Sequence, residues 1–570
     1  MPRFCVCHGD GPADQLVAMG ARPVETTAGT SIGLLDAMPG KAAGPYRFAG
    51  LTAVGEITLH NAAQLRARLG APPECTDGEL LLRSYARFGL AGIAAAEGMF
   101  ALVIAERDEL LLIRDHAGGR TLFYARAGNR WAASSSLRAL RRWPTLGTGL
   151  NLPAVRSFLT FAYLPGEETL LRGVSEVLAG RCVRLRADGS VAEEVFWEPA
   201  EELDESLDGD GHAQALREHL EAATVRRLPV AEPVAVLLSG GIDSSLVTAL
   251  AAKFSDHPVS TYSISFGDDA PNELGYSGLV AAHCGTRHRV LTVAPEAVAN
   301  RLAGTVALLD SPVGDPLTVP NLLLAEAVAA DGHRVVLNGE GGDPVFGGPK
   351  NLPMLVFELA RDDPSPTARA TAYLESYRKC YADLPRLLTT KALAELESAP
   401  ALERLLEPYL RPDRMSTLLN QLLHTNLRTK GAHHILTKVE RLTASAGVEG
   451  RAPLFDRQVI DQAFRVPPRH KLTGTVEKWV LKQAVRDLLP ATIVDRPKSG
   501  MRVPVQRWLR GPLRDLGHDL LLGREARDRG LFRPATIRSW LRGEGAVLPR
   551  QGGKLWLVLT LELWLRSYDL

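Results

Sequence analysis

The feature that most constrains the fold of this chain is a glycine-rich turn between a short apolar strand and a helix. Pro233–Leu238 predicts the strand, and the helix is predicted from about Ser244 to Lys253. The alternation continues, with strands predicted over Ser260–Phe266, Arg289–Val293 and Arg334–Leu337 and helices over Ser277–His283 and Leu322–Ala330. Such alternation predicts crossover connections and a parallel sheet, so we expect an α/β domain here. Beyond residue 350 the pattern becomes mostly helical.

The residues before this sheet have a different pattern. Short apolar runs, such as Met99–Ala105 and Glu109–Ile113, are separated by turn residues and interrupted by helical pieces such as Gly78–Tyr85. They predict an α+β domain with antiparallel sheets. Residues 198–211 contain seven acidic residues and no basic one, which is typical of a solvated linker. We therefore predict one domain over residues 1–200 and a second over residues 201–570.

Composition narrows the class of protein. Lys and Arg number 66 against 65 Asp and Glu, and this formal net charge of +1 argues against nucleic acid as the main partner. The apolar stretch Leu555–Leu565 contains Glu562 and is too short to span a bilayer. No signal peptide is evident, and the six scattered cysteines do not form a disulfide framework. We expect a cytoplasmic protein with no membrane partner.

The turn itself, Leu237–Ser245, combines groups that bind phosphate. Gly240 and Gly241 let the backbone approach a ligand closely, and the loop N–H groups and the helix N-terminus form an anion site. Asp243 can hold a divalent cation that neutralises phosphate charge. Hydroxyl donors come from Ser239, Ser244 and Ser245. The alternative interpretation is a structural Gly-Gly turn with a serine cap. The loop contains neither the P-loop pattern GxxxxGK[ST] nor the dinucleotide-binding pattern GxGxxG.

The pattern SGGxDSS resembles the pyrophosphate loop of enzymes that split ATP between its α and β phosphates, and at this point the chain resembles the asparagine synthetase superfamily. The segments that agree with this family in order and approximate spacing are Tyr262–Phe266, Glu273, Tyr276, Gly285–His288, Asp310–Pro316, Asn338–Asp343, Phe346–Gly348, Val448–Asp456, Glu477–Lys478 and Arg496–Lys498. The resemblance covers most of the chain. It implies an Ntn-hydrolase-like, class II glutamine amidotransferase-like domain first. A PP-loop ATP pyrophosphatase domain of the adenine nucleotide α-hydrolase-like type follows, with a largely helical C-terminal part.

The resemblance also implies roles for individual residues. A carboxylate becomes reactive when it is transferred to AMP, and Asp243 and Asp343 would hold Mg²⁺ against the phosphates of ATP. The adenosine would be held by backbone groups near Leu238, Ile264 and Gly339. Lys478 would stabilise charge that develops during the reaction. Glu340 is the candidate general base for the attacking amine.

Each of these side chains has a plainer interpretation. Asp343 and Glu340 also fit turn or cap carboxylates, and Lys478 by itself would fit a solvated helix lysine. Arg496 and Lys498 are candidate anion contacts, for which solvated surface is nearly as good an interpretation.

The N-terminal domain departs from the family pattern. Glutamine-dependent members begin with Cys directly after the initiator Met, and the free α-amine acts with that thiol, but residue 2 here is Pro. Cys5 and Cys7 carry no free α-amine. No second pair of ligands lies at zinc-finger spacing, so we interpret the two cysteines as plain thiols and not as a zinc site. The family's Asn-Gly-Glu reads Val54-Gly55-Glu56. The features that persist are Asp77, Gly98–Ala101 and Arg114–Gly118. We predict a retained but disarmed glutaminase domain.

Together these features predict an ATP-dependent, AMP-forming amide synthetase of a biosynthetic, natural-product pathway. Its expected cofactors are ATP and Mg²⁺. Its expected partners are a small-molecule or peptide carboxylate and an amine or ammonia that does not come from its own glutaminase. A homodimer is an open alternative, because related enzymes often dimerise.

Three alternatives to this function stay open. They are an intramolecular cyclase of the β-lactam synthetase or lasso-peptide cyclase type, an asparagine synthase, and an inactive nucleotide-binding scaffold. Glu340 stands where β-lactam enzymes tend to have a tyrosine, which argues against that branch. Pro344 stands where asparagine synthetases commonly have a second acid, which argues against aspartate as substrate.

Overall fold

The structure is a computed structural model, and it describes residues 3–27, 29–35, 43–106, 109–147, 149–267, 272–348, 363, 365–376, 379–497, 501, 503–544 and 552–570. The chain forms two compact units, Met1–Asn151 with Gly166–Glu198 and Leu152–Pro165 with Pro199–Leu570. None of the helices in these described ranges is long and apolar enough to cross a membrane.

The first unit is built on antiparallel sheets, as predicted. Its strands are β1 Phe4–His8, β2 Arg22–Thr27, β3 Thr30–Leu34, β4 Tyr46–Phe48, β5 Leu51–Leu59, β6 Gly98–Glu106, β7 Glu109–Arg114, β8 Phe123–Ala127, β9 Arg130–Ser134, β10 Val174–Glu176, β11 Arg181–Arg186 and β12 Val191–Val195. Within the described residues they make two six-stranded sheets, ordered β10-β8-β9-β1-β3-β2 and β12-β11-β7-β6-β5-β4. The helices are Pro12–Ala18, Ala62–Leu69, Asp77–Phe88, Leu90–Ala94 and Leu137–Arg141.

The alternation of side chains along each strand produces the layers of this unit. Val103 of β6 lies in a buried cluster with Val6 of β1 and Trp131 of β9, so the inner faces of the two sheets pack together. Phe100, on the opposite face of β6, packs with Leu81 of a flanking helix. The result is the expected α+β arrangement of helices on packed sheets.

The second unit contains the predicted parallel sheet. Its strands are β13 Ala235–Leu237, β14 Ser260–Ser265, β15 Arg287–Thr292, β16 Val335–Leu337 and β17 Glu449–Arg451, in the order β15-β14-β13-β16-β17. The sequence pattern does not predict β17, because its three residues, Glu449-Gly450-Arg451, include no apolar side chain. A small antiparallel hairpin, β18 Leu472–Thr473 and β19 Val476–Glu477, follows.

Helices make up most of the remainder of the second unit, as predicted. The α-helices are Leu152–Phe161, Gly209–Val225, Ile242–Phe254, Leu274–His283, Pro295–Leu308, Thr318–Ala330, Gly342–Phe346, Pro366–Ser376, Leu384–Leu387, Thr390–Leu396, Leu418–Asn426, Leu436–Ser445, Arg457–Arg465, Pro468–Lys471, Trp479–Ala484, Ala491–Val494, Val505–Arg510, Arg514–Leu522, Arg524–Arg529, Pro534–Leu541 and Gly552–Ser567. The 3₁₀ helices are Tyr381–Asp383, Leu402–Leu405, Glu407–Tyr409 and Pro453–Phe455, and Leu427–Ile435 is a π-helix. In the apolar last helix, Glu562 is buried and accepts hydrogen bonds from Arg529 and Arg566.

The segment Leu152–Pro165 packs within the second unit, whereas the predicted first domain over residues 1–200 contains it. Phe161 and Tyr163 are buried in one cluster with Tyr373. The carbonyl of Leu159 accepts a hydrogen bond of 3.0 Å from the backbone of Cys380. Sequence patterns of the segment itself do not reveal these partners, because they lie more than 200 positions away in the chain.

The acidic run over residues 198–211 contains the boundary between the two units, at Glu198, but it is not solvated throughout. Glu201 accepts hydrogen bonds from Ser416 and from the side chains of Thr417 and Asn420, the last two at 2.6 Å. Asp208 caps the helix Gly209–Val225 by accepting from the N–H of Gly211 at 2.8 Å. The carboxylates therefore hold this segment on the second unit.

A buried lysine gives this unit a pH-dependent stability. Lys471 is 1% exposed, and burial lowers the pKa of its ammonium to about 7. Its Nζ donates to the Asn420 amide oxygen at 2.6 Å, a neutral partner. Between about pH 7 and pH 10 the unfolded lysine keeps its proton and the folded one loses it, so the unfolded state binds more protons and the free energy of unfolding rises with pH.

Between pH 7 and pH 9, we expect the free energy of unfolding of the wild type to rise by about 2 kcal/mol more than that of K471M. The slope is about 1.4 kcal/mol per unit of pH. Denaturant unfolding at both pH values measures the difference. The control is K253M, because Lys253 is half-exposed and paired with Glu221. Equal pH dependence in wild type and K471M would contradict a neutral buried lysine.

Candidate active site

The order of the parallel sheet brings two glycine-rich turns together. From β13 the chain runs outward through β14 to β15 and then returns to the other side of β13 as β16. The turns after β13 and β16 therefore meet at the carboxyl ends of neighbouring strands, where open α/β sheets bind ligands. The glycines allow close contact. A Cβ on Gly339 would lie 2.4 Å from the Ser244 nitrogen, and one on Gly342 would lie 2.2 Å from Asp243 Oδ1.

The first turn has the shape of an anion-binding loop. Gly240 has a φ of 79°, which favours glycine. Ser239 and Ser244 share a hydrogen bond of 3.0 Å between their hydroxyls, and the Gly241 N–H donates to Ser239 Oγ at 3.4 Å. Ser245, also predicted as a donor, is fully buried, and its hydroxyl has no hydrogen-bond partner among the described residues.

The residues expected to hold adenosine lie beside this loop. The Leu238 N–H donates to the Tyr262 carbonyl at 2.8 Å, and the Leu238 carbonyl accepts from the Ser263 hydroxyl at 2.5 Å. Both backbone groups of Leu238 are thus used within the sheet, although its carbonyl keeps a second lone pair. Ile264 is buried on β14, and Gly339 is half-buried at the end of β16.

A buried lysine joins the two predicted metal-binding carboxylates. Lys478 Nζ lies 2.9 and 2.7 Å from the two carboxylate oxygens of Asp243 and 2.6 Å from Asp343 Oδ1. The Lys478 side chain is 1% exposed, against 11% for Asp243 and 41% for Asp343. The structure thus brings these three residues together and excludes a solvated helix lysine.

The backbone at Lys478 is strained in a way that fixes its side chain. The residue follows the β18–β19 hairpin and precedes the helix Trp479–Ala484, and its φ of 55° and ψ of 35° are left-handed. This region is uncommon for residues other than glycine and tends to occur at functional sites. The hairpin and helix together hold the ammonium between the carboxylates.

The two carboxylates fit Mg²⁺ better than a resident structural metal. No group of three or more His, Cys, Asp or Glu side chains suited to a metal occurs in the described part of the chain. Mg²⁺ is commonly bound by one or two carboxylates together with substrate phosphates. Asp243 and Asp343, next to a phosphate-binding type of loop, provide that donor set.

Near Glu340 lies a second group of charges that the sequence analysis missed. Lys438 Nζ donates to Asp315 Oδ2 at 2.6 Å, and His434 Nε2 lies 3.6 Å from the same oxygen. Burial lowers the pKa of Lys438, but the carboxylates of Asp315 and Glu340 outweigh it and hold this pKa above its usual value. Burial also lowers the pKa of His434, to about 4. His434 belongs to the π-helix, a feature frequent at functional sites.

Arg496 is neither a solvated residue nor an open anion contact. Its guanidinium donates to the Gly240 carbonyl at 3.1 Å, pairs with Glu273 and lies over the ring of Tyr276. The sequence motif does not reveal this role, because it shows the arginine but not the carbonyl that the arginine reaches. Lys498 lies outside the described residues.

In the first unit, the cysteines are packed away from solvent. Cys5 and Cys7 are fully buried in β1, and the Cys5 thiol contacts Ser134 Oγ at 3.2 Å. Burial raises the pKa of the Cys5 thiol to about 12 and raises that of Cys7 as well. A thiol of this kind is inert at neutral pH.

The other family positions in the first unit have structural contacts. Val54 is buried between the two sheets. The Asp77 carboxylate accepts from the Leu59 N–H at 2.8 Å. The buried Asp115 accepts from the N–H groups of Gly118 and Gly119 at 2.8 and 2.9 Å, which holds the signature turn.

Comparison with known proteins identifies both parts of the chain. Residues 215–566 match the asparagine synthase family, and residues 45–197 match the glutamine amidotransferase domain. A putative glutamine-hydrolysing asparagine synthetase of Mycobacterium tuberculosis (strain ATCC 25618 / H37Rv) is 28% identical over 529 residues, covering 86% of this chain and 79% of its own. Asparagine synthetase 1 of Bacillus subtilis (strain 168), also glutamine-hydrolysing, is 24% identical and covers 90% and 84%.

Two further proteins are similar to parts of the chain. The carboxyethyl-arginine β-lactam synthase of Streptomyces clavuligerus is 28% identical over 458 residues, 79% of this chain and 73% of its own. Glutamine phosphoribosylpyrophosphate amidotransferase from B. subtilis, a solved structure, has a TM-score of 0.26 and 13% identity. The alignment covers 46% of this chain. It covers 65%, just under two thirds, of the solved chain.

More than half of the chain lies within the match to the asparagine synthase family. The protein is therefore an ATP-dependent ligase, of the kind that forms amide bonds. It belongs to the asparagine synthase family, and its residues 45–197 match the glutamine amidotransferase domain.

The close approach of Gly342 to Asp243 allows a selective test of the charged site. In G342A the new methyl group would displace the Asp243 carboxylate from Lys478. We expect the affinity for Mg–ATP to fall about 10- to 100-fold, since charge-assisted hydrogen bonds contribute about 1.5–3 kcal/mol. Isothermal titration calorimetry measures it.

The matched control is G278A, because a Cβ on Gly278 meets nothing within 4 Å. Circular dichroism and the melting temperature should show that both variants fold. Unchanged Mg–ATP affinity in G342A would contradict a nucleotide site at these carboxylates.

Proposed function

We propose that this protein is an AMP-forming amide synthetase that adenylates a carboxylate and passes the acyl group to an amine from a source other than its own glutaminase. The observation that carries the proposal is the Lys478 ammonium held between Asp243 and Asp343, beside the loop Ser239–Gly241. The strand–loop–helix order at the switch point of a parallel sheet supports a PP-loop ATP pyrophosphatase fold. In such a fold ATP is split between its α and β phosphates.

The first half-reaction needs stabilisation of phosphate charge. A carboxylate oxygen of the substrate attacks the α-phosphorus, the bond to the bridging oxygen breaks, and pyrophosphate leaves. The loop N–H groups and the hydroxyls of Ser239 and Ser244 orient the phosphates, and Lys478 stabilises charge on the leaving group from a fixed, buried position. When held by Asp243 and Asp343, Mg²⁺ supplies charge neutralisation of the phosphates.

The second half-reaction needs a proton acceptor. The amine attacks the carbonyl carbon of the acyl-adenylate, the bond from that carbon to the AMP oxygen breaks, and the amine gives up a proton. Glu340 is the candidate acceptor because it sits in the turn between Gly339 and Asp343, half-exposed beside the phosphate loop.

The amine comes from outside the first unit in this proposal. The cysteines of that unit are Cys5, Cys7, Cys75 and Cys182, and all four are buried. Burial raises the pKa of Cys5 and of Cys182 to about 12, so neither of these two thiols is a thiolate nucleophile at neutral pH. Val54 lies buried where the family has an amide side chain. We infer that the first unit is a retained but disarmed glutaminase domain.

An intramolecular cyclase is the second candidate. The similarity to the S. clavuligerus β-lactam synthase, at 28% identity over 458 residues, favours it. In that case the amine belongs to the same molecule as the carboxylate, and the product is a lactam. Asparagine synthase activity is a weaker alternative, because Pro344 is a buried residue with no charge to offer an aspartate.

ATP–pyrophosphate exchange tests adenylation directly. With Mg²⁺ and a panel of carboxylic acids led by aspartate, we expect exchange with one acid, and D243N should lower its rate at least about 1,000-fold by removing phosphate charge neutralisation. The control is D331N, because Asp331 forms a half-exposed ion pair with Arg289. Exchange that survives in D243N would refute the proposal, and so would wild-type inactivity with every acid and with candidate amines added.

Nitrogen donors distinguish an active from a disarmed glutaminase. We expect product with ammonium or a primary amine, or with the acid alone for a cyclase, and no increase with glutamine. C5A and C7A should keep the wild-type rate, with C75A as the control for loss of a buried thiol. Glutamine-dependent product that C5A or C7A abolishes, as mass spectrometry would show, would contradict a disarmed domain.

A further inference from the structure

One arginine is fixed against the phosphate loop by three different groups. Arg496 Nη1 donates to the Gly240 carbonyl at 3.1 Å, and Nη2 pairs with the Glu273 carboxylate. The guanidinium carbon lies 3.8 Å from the ring centroid of Tyr276. The side chains of Arg496 and Glu273 are both mostly buried. The planar guanidinium group is held at two edges and on one face, so it has a single orientation.

The loop is pressed against the helix that carries these partners. A Cβ on Gly240 would lie 2.6 Å from the Ser277 nitrogen and 2.7 Å from the Tyr276 Cβ. Gly240 also has a left-handed φ of 79°. Glycine is the residue that fits here, and glycine leaves the peptide unit without a side chain to hold it. Its orientation must come from a neighbouring group.

The bond from Arg496 to Gly240 determines where the next N–H points. The carbonyl of Gly240 and the N–H of Gly241 belong to one planar trans peptide, so they point in opposite directions. Arg496 holds the carbonyl outward, toward Glu273 and Tyr276. The Gly241 N–H is then directed to the inner side of the loop, where Ser239 Oγ lies at a long 3.4 Å. A donor with so weak a partner is well placed for a phosphate oxygen.

We propose that Arg496 is a positioning residue that aims the Gly241 N–H at the phosphates that leave as pyrophosphate. The arginine does not touch the phosphate in this arrangement, because Glu273 neutralises its charge and the Tyr276 ring covers its face. This inference rests on the proposed nucleotide site. It adds the residue that orients the loop.

The inference predicts different effects on the binding of pyrophosphate and of AMP. Loss of an aligned, charge-assisted hydrogen bond weakens binding by about 10- to 100-fold. We expect R496M to lose that much affinity for Mg–pyrophosphate and to keep its affinity for AMP within about threefold. R496K should be intermediate, because an ammonium can reach one partner but lacks the planar fork. Titration calorimetry of the full chain with each ligand measures both affinities.

The matched control is R486M. Arg486 pairs with Asp495 at 2.8 Å in the same region, and both side chains are exposed, so its loss should change neither affinity. Melting temperatures check folding. If R496M does not fold, R496K and E273Q carry the test.

E273Q separates positioning from direct contact. If the guanidinium itself bound phosphate, removing its counter-charge would tighten pyrophosphate binding. If Arg496 positions the loop, E273Q weakens pyrophosphate binding, because the arginine loses an anchor.

Tighter pyrophosphate binding in E273Q overturns the inference. So does R496M with an unchanged pyrophosphate affinity, or with equal losses for pyrophosphate and AMP. A wild-type chain that binds neither ligand overturns the nucleotide site and this inference with it. A wild type that binds both ligands while R496M loses neither overturns the inference alone.

Discussion

The charged site of the second unit depends on one reversal in the order of a parallel sheet. Because β16 returns to the opposite side of β13 from β14, the turns that follow β13 and β16 lie next to each other at the strand carboxyl ends. Backbone contact at this point is so close that Gly339 and Gly342 leave no room for a Cβ. Asp243 and Asp343, about a hundred residues apart in the chain, are thereby close enough to share the Lys478 ammonium.

The pKa of a buried charged group in this unit depends on its partners and not on burial alone. Removing an ion from water costs several kcal/mol unless a counter-ion compensates it. Burial raises the pKa of the Asp456 carboxyl, but Arg227 and Arg226 beside it outweigh burial and hold this pKa well below its usual value. Lys438 has Asp315 and Glu340 nearby, and its pKa is raised. Lys471, equally buried, donates to a neutral amide instead, and its pKa falls to about 7.

The architecture of the first unit rests on its apolar layer and on one buried carboxylate. The two sheets bury a shared apolar layer to which Val54 belongs, and Asp115 still holds its turn by accepting backbone hydrogen bonds. Cys5 and Cys7 face away from that layer but are buried all the same. These contacts hold the architecture of the unit, and under the proposed function the unit no longer activates glutamine.

The sequence by itself determined the elements whose pattern is local. The parallel strands β13, β14, β15 and β16, the helix Ile242–Phe254 and the glycine-rich turns follow from apolar runs and glycine positions within about ten residues. Family motifs also pointed to Asp243, Asp343 and Lys478 as one group. Only the tertiary structure decided that Lys478 is buried and strained, that the acidic run is anchored by Ser416, Thr417 and Asn420, and that Arg496 holds the Gly240 carbonyl. Each of these depends on a partner far away in the chain, and the local pattern of a segment carries no information about which distant group will meet it.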